Sequence, residues 1–220
     1  VNLNAQDNIT LANNSMLNVI DDLNIQSSNG KLESAGGLYA NAISLNANAI
    51  DTLSTSIISA NKQLDLIGQK WNNTGQVIAL NQLNTKITNI YNGGGIQAQN
   101  LVFNGLNSLE NANLLLSNSN LNITAASIKN NAGAVLISNQ SLTLDTTQGD
   151  LSNEGEIIAQ KDLNITTSVN QAEFENKGML QGGENLTIRA ENLKNTTINN
   201  SKIIGKNVQL NVSELTNSVQ

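Results

Sequence analysis

Two aromatic rings and two groups of acids are the side chains best able to do chemistry in this 220-residue chain. Trp71 lies in "IGQKWNNTGQ" and Tyr91 in "IYNGGGIQ", glycine-containing passages where a flat ring could grip a sugar or a receptor loop. The same rings could instead stack inside a widened core, the ordinary place for an aromatic side chain. Asp150, Glu154 and Glu156 gather in "DLSNEGE", and Glu173 and Glu175 in "AEFENKG". Grouped carboxylates with Ca²⁺ and a basic residue cleave pectin in β-helical enzymes. Here, however, Glu154 and Glu156 alternate along the chain and would share one solvated face. No D-x-[DN]-x-[DN]-G loop and no G-G-x-G-x-D nonapeptide is present, so neither familiar calcium cage is encoded. Asn-x-Ser/Thr triplets begin at Asn72, Asn122, Asn139, Asn164, Asn185 and Asn211, among others. Each is an acceptor site for glycosylation if the chain meets the enzyme, and in so Asn-rich a sequence each also arises by chance.

What is missing narrows the chemistry further. The chain has no cysteine and no histidine, which removes disulfides, iron–sulfur ligation, thiol catalysis and the commonest general base and metal ligand. We therefore expect no catalytic residue, no metal site and no cofactor. A net charge of −6, with 11 Lys and Arg scattered through the sequence, argues against a nucleic-acid partner. No apolar run approaches the roughly 20 residues that span a bilayer, so membrane insertion is not expected. The opening "VNLNAQDNIT" has neither a basic nor an apolar leader region. The expectation is that residues 1–220 form a single repeat segment excised from a longer filament, with any export signal elsewhere.

The elements that must position these side chains announce themselves by recurrence. "SNLNIT", "KDLNITT" and "ENLTIRA" are variants of one phrase. Taking the first aliphatic of each such phrase gives the anchors Leu3, Leu23, Ile43, Leu64, Leu83, Leu101, Leu121, Leu142, Leu163, Leu186 and Val208, spaced 18 to 23 residues apart. Two residues after most anchors stands another aliphatic, as in Ile25, Leu45, Ile123 and Ile165. That alternation marks a strand with one buried face. A second beat, "IISA", "VIA", "LIS" or "IIA", precedes most anchors, so each unit carries at least two short strands. Between them lies a variable stretch with Gly or Asn.

Leucine-rich repeats with helices share this spacing, but no window here sustains helical periodicity, and Asn, Thr, Ser and Gly are poor in helix interiors. With no room for a crossover helix, the chain must wind on itself as an all-β, right-handed parallel β-helix of about 20 residues per coil. The five aromatic residues are enough for a long, narrow aliphatic core, and the 41 asparagines suit bends that recur, where equivalent side chains can form ladders. The longest interval, 23 residues, predicts an added bend or bulge between Phe174 and Leu186.

The phrases "GGLYANAISLNANAI", "SNEGEIIAQKDLNITTS" and "NKGMLQGGENLTIRAENLKN" resemble the degenerate repeats of filamentous-haemagglutinin-type exoproteins, including the stalks of contact-dependent growth inhibition effectors. The resemblance covers essentially the whole chain and is strongest from about Ala112 onward. It implies a Gram-negative two-partner secretion substrate: a virulence-associated adhesin or toxin-presenting stick, carried out by an outer-membrane transporter and secreted or held at the cell surface. Its partner there would be a receptor or glycan on a host or neighbouring cell. The proline-containing secretion domain and a C-terminal toxin of that family have no counterpart in these residues. Zero cysteine agrees with the implied route, since disulfides formed in the periplasm would obstruct export of an unfolded chain. Two functions stand as expectations: a non-enzymatic extracellular filament segment that supplies reach and cell-surface contact, or a carbohydrate-active, pectate-lyase-like β-helix enzyme. Coil lengths of 18 to 23 residues leave little room for the loops an enzyme's groove requires, which favours the filament.

Overall fold

The computed structural model describes residues 1–167, 172–197 and 201–219. They form an all-β solenoid of about ten turns and roughly 21 residues per coil, with no helix. Twenty-two strands join in one hydrogen-bonded network in which every pairing is parallel, and the network wraps into three faces.

On the first face, Asn2–Ala5, Asp22–Ser27, Leu142–Thr146 and Asp162–Thr167 are short strands of the L-x-[LI] phrase. The second face takes Lys31–Ser34, Lys70–Asn73, Asn89–Asn92 and Glu173–Asn176, among others. The third holds Leu114–Ser117, Val135–Ser138 and Glu156–Ala159, the "LIS" and "IIA" beat. Longer strands such as Gly37–Asn46 run around a corner without a break. Each coil thus has three strands rather than two, the third coming from the stretch that looked variable. At about 4.8 Å per rung, ten coils make a rod of roughly 50 Å.

Register explains why the pattern is so regular. Leu121 pairs with Leu142 and Leu142 with Leu163, and all three are 0% exposed. The same ladder runs from Leu23 through Ile43, Leu64, Leu83 and Leu101 to Leu121, and onward from Leu163 through Leu186 to Val208. Burying each such side chain stabilises the stack by about 1.5–3 kcal/mol. Val208 is in register yet 45% exposed, because no coil covers it. Leu3 is the one anchor out of place: it pairs with Ile25, the second aliphatic of its phrase, so its coil begins two residues earlier than the spacing suggested. The stretch from Phe174 to Leu186 matches its neighbours in length, and its one irregularity is a register shift between Gly182 and Asn185. The additional residues of the longest repeat fall instead between Leu163 and Phe174, a span that includes positions outside the described residues.

A polar ladder runs inside the core at the corner between the second and third faces. Starting at Leu11, the register passes through Ser34 and Thr52 and then through eight asparagines: Asn73, Asn92, Asn111, Asn130, Asn153, Asn176, Asn195 and Asn217. Each Nδ2 donates to the Oδ1 of the next asparagine, at 2.8 Å from Asn73 to Asn92 and 2.9 Å from Asn111 to Asn130. The second amide hydrogen turns to a carbonyl of the corner, as from Asn92 to Leu114 O at 3.0 Å and from Asn176 to Gly178 O at 3.1 Å. A carboxamide meets both demands at once because it carries two donors and an acceptor, and a buried amide left unpaired would cost about 1–3 kcal/mol. The corner itself is tight. A Cβ at Gly155 would stand 2.2 Å from Ala134 O, and one at Gly178 would stand 1.9 Å from Gly155 O.

Candidate functional site

On the second face the strand alternates between an inward pair and an outward pair, and the inward pair ends on the ladder asparagine. Trp71 is two residues before Asn73, so it points inward; Tyr91 is one residue before Asn92, so it points outward. Register agrees, since Trp71 pairs with Ile90 and Asn72 with Tyr91. The structure therefore separates the two rings that the sequence set side by side. Trp71 is 0% exposed, and its Nε1–H donates to Thr52 Oγ1 at 3.3 Å. It fills the core and is not available to a ligand. Tyr91 is 37% exposed. Its ring lies along the sheet over Gly93, where a Cβ would come within 3.0 Å of Cε1.

The outward row that contains Tyr91 runs Glu33, Asp51, Asn72, Tyr91, Glu110, Lys129 along the axis. Asn72 Nδ2 donates to Asp51 Oδ1 at 3.0 Å. Lys31 reaches Asp51 at 2.6 Å and Glu33 at 2.8 Å. On the other side of the ring, Asn131 Nδ2 donates to Glu110 Oε1 at 2.9 Å. The hydrogen bond to Asp51, and then that to Glu33, raises the Lys31 pKa above its ordinary value. Beside the ring is a depression of about 310 Å³ lined by Asp51, Thr52, Leu53, Asn72, Thr74 and Tyr91. A larger surface groove, about 490 Å³, lies at the corner of the first and second faces, but its lining of Gln26, Ser28, Asn29, Asn46, Asn48 and Gln69 offers neither a ring nor a charge.

The acids grouped in the sequence do not converge on a reacting centre. Glu175 pairs with Lys177 at 2.7 Å, and Glu154 lies 3.8 Å from the same lysine. That pairing, chiefly the hydrogen bond from Glu175, raises the Lys177 pKa. Glu173 pairs with Lys194 at 2.6 Å, and Asp150 Oδ1 accepts the backbone N–H of Glu173 at 2.8 Å. Glu156 is exposed on the third face. Among the described residues no three His, Cys, Asp or Glu side chains come together in a metal-binding arrangement. In the triplets that overlap strands, Asn122 and Asn164 face outward beside fully buried Leu121 and Leu163.

What the sequence reading lacked was the phase of the second face. The signal for it was present as Asn followed two residues later by a glycine, in "NTG", "NGG", "NEG" and "NKG". Counting back from that asparagine assigns each side chain to the inside or the outside.

Comparison of the chain with protein-family models, with curated proteins and with solved structures returned no match.

Proposed function

We propose that this chain is a length of an extracellular bacterial filament, a β-solenoid stalk whose work is reach and cell-surface contact. The observation that carries the reading is the unbroken register of the anchor ladder from Leu23 to Val208, with no lateral insertion large enough to build a deep cleft. A molecule built as a stack extends in one direction without needing a new core, which is what a stalk requires. The resemblance of its phrases to filamentous-haemagglutinin-type repeats supports an adhesin or contact-dependent inhibition stalk in particular. It would be exported by a two-partner outer-membrane transporter and meet a receptor or glycan on another cell. The filament reading is favoured over a lyase-like enzyme because Glu154, Glu173 and Glu175 lie within ion-pairing distance of lysines, and Asp150 accepts a backbone N–H. Antibodies raised against the purified chain test the proposal. They should label intact cells of the organism that makes it, and labelling seen only after permeabilisation would overturn the reading.

A further inference from the structure

We infer that the depression beside Tyr91 is a binding site for one neutral hexopyranose unit of a surface glycan. A pyranose has a C–H face and a hydroxyl edge, and the depression offers a counterpart to each. Tyr91, Leu53 and the methyl of Thr74 supply an apolar floor. The carboxylate of Asp51 and the carboxamide of Asn72 stand at its side with acceptors and a donor for hydroxyl groups.

Both polar partners are held before any ligand arrives. Asp51 is fixed between Lys31 at 2.6 Å and Asn72 at 3.0 Å, and the Tyr91 ring is laid over Gly93. Ordering side chains in advance lowers what binding must spend on entropy, which matters most for a small ligand. Charge selects within the sugars. Glu33 and Asp51 share the single Lys31, and the whole chain carries −6, so an acidic sugar would meet repulsion that a neutral one does not.

Size argues for a sugar over a receptor loop. The depression of about 310 Å³ is at the lower end of small-molecule sites. A stable protein partner buries about 800 Å² on each side around several anchors, whereas this outer face presents one exposed ring. The inference rests on the surface-contact reading only for its setting, because glycoside binding by the purified chain does not depend on where the chain resides.

Saturation-transfer NMR on the whole chain tests it, with the methyl β-D-pyranosides of glucose, galactose and mannose, and methyl β-D-glucuronide as the acidic probe. At least one neutral glycoside should saturate, with transfer concentrated on its ring C–H protons, and the glucuronide should bind more weakly than the glucoside. Tyr91→Ala should weaken binding by roughly tenfold, the worth of one stacked ring, while Tyr91→Phe keeps it within about threefold. Gly93→Ala, which displaces the ring without removing it, should give an intermediate loss. A melting temperature unchanged in Tyr91→Ala excludes misfolding as the cause. The inference is overturned if no neutral glycoside saturates, if Tyr91→Ala binds as the parent does, or if the glucuronide binds best. It is also overturned if Tyr91→Ala abolishes attachment to cells whose glycans have been destroyed by periodate, which would identify a protein partner. None of these results bears on the filament reading, which the antibody labelling of intact cells decides separately.

Discussion

The first three coils and those that follow solve the same buried corner with different side chains. From Asn73 onward the corner position is asparagine in every coil. Before it stand Leu11, Ser34 and Thr52. A hydroxyl has one hydrogen, so it can reach along the axis or into the corner, and a single residue cannot do both. The early coils therefore borrow partners. Ser56 Oγ donates to Ser34 Oγ at 3.1 Å and lies the same distance from Gly36 O, while Thr52 Oγ1 donates to Asn73 Oδ1 and receives the Trp71 indole N–H. The later coils need no such help. The contrast explains why Asn recurs where Ser or Thr would fit sterically: it is the smallest side chain that closes the corner alone.

Substitutions can break this comparison or sharpen it. The largest effect belongs at the junction of the two solutions. Trp71→Ala empties a fully buried site and releases Thr52, and should destabilise the chain by about 3–5 kcal/mol, read from urea unfolding followed by circular dichroism. Next comes Asn111→Leu, which strips the Asn92 donor of its acceptor and the Asn130 oxygen of its donor. A cost of about 2–4 kcal/mol is expected, with amide exchange accelerated in the coils on either side rather than uniformly, because coils in a solenoid interact chiefly with their neighbours. Ser34→Ala should cost only about 1 kcal/mol, since Ser56 still reaches Gly36 O. If Asn111→Leu proves no more damaging than Ser34→Ala, the asparagines are not distinguished from the hydroxyls they replace.

The smallest effect lies outside the core. Lys31→Ala should change stability by no more than about 0.5 kcal/mol, because both its ion pairs are solvent-accessible. Its pKa is raised in the folded chain by the hydrogen bonds to Asp51 and Glu33. That contribution is therefore complete below the ordinary lysine pKa and fades as pH rises through the raised value. Parent and Lys31→Ala melting temperatures should converge only above the ordinary lysine range, and convergence at neutral pH would show that the pair does not form.

Most of the fold was legible because a parallel stack repeats its burial pattern literally. Leu121, Leu142 and Leu163 stand in one phrase in the sequence and in one column in the molecule. Two things were not legible from the anchors. Leu3 was taken as an anchor because its phrase holds two aliphatics two residues apart, and the first coil has no predecessor to fix which of them leads. Trp71 and Tyr91 were counted seven and eight residues from Leu64 and Leu83, across a corner where strand alternation is interrupted. A count that crosses a corner carries no information about which face a side chain takes. Their opposite orientations follow only when the asparagine of the inner ladder is used as the origin. The depression at Tyr91 combines residues from three successive coils, so its floor and its polar edge could be assembled only once the register was known.

Register matching of this kind also decides how such a molecule can change size. One residue inserted within a strand would turn every later side chain of that strand over, core to solvent. Where the repeats differ in length, the structure shows the difference at bends: two residues, Leu80 and Asn81, occupy the turn that Gln99 alone makes in the following coil, and Gly105, at φ 70°, takes up an extra position between Phe103 and Leu106. A duplicated whole coil, by contrast, meets above and below it the surfaces it already fits. Such a chain can gain or lose length in steps of one rung, about 4.8 Å each, and its span becomes a counted quantity that recombination between repeats can reset.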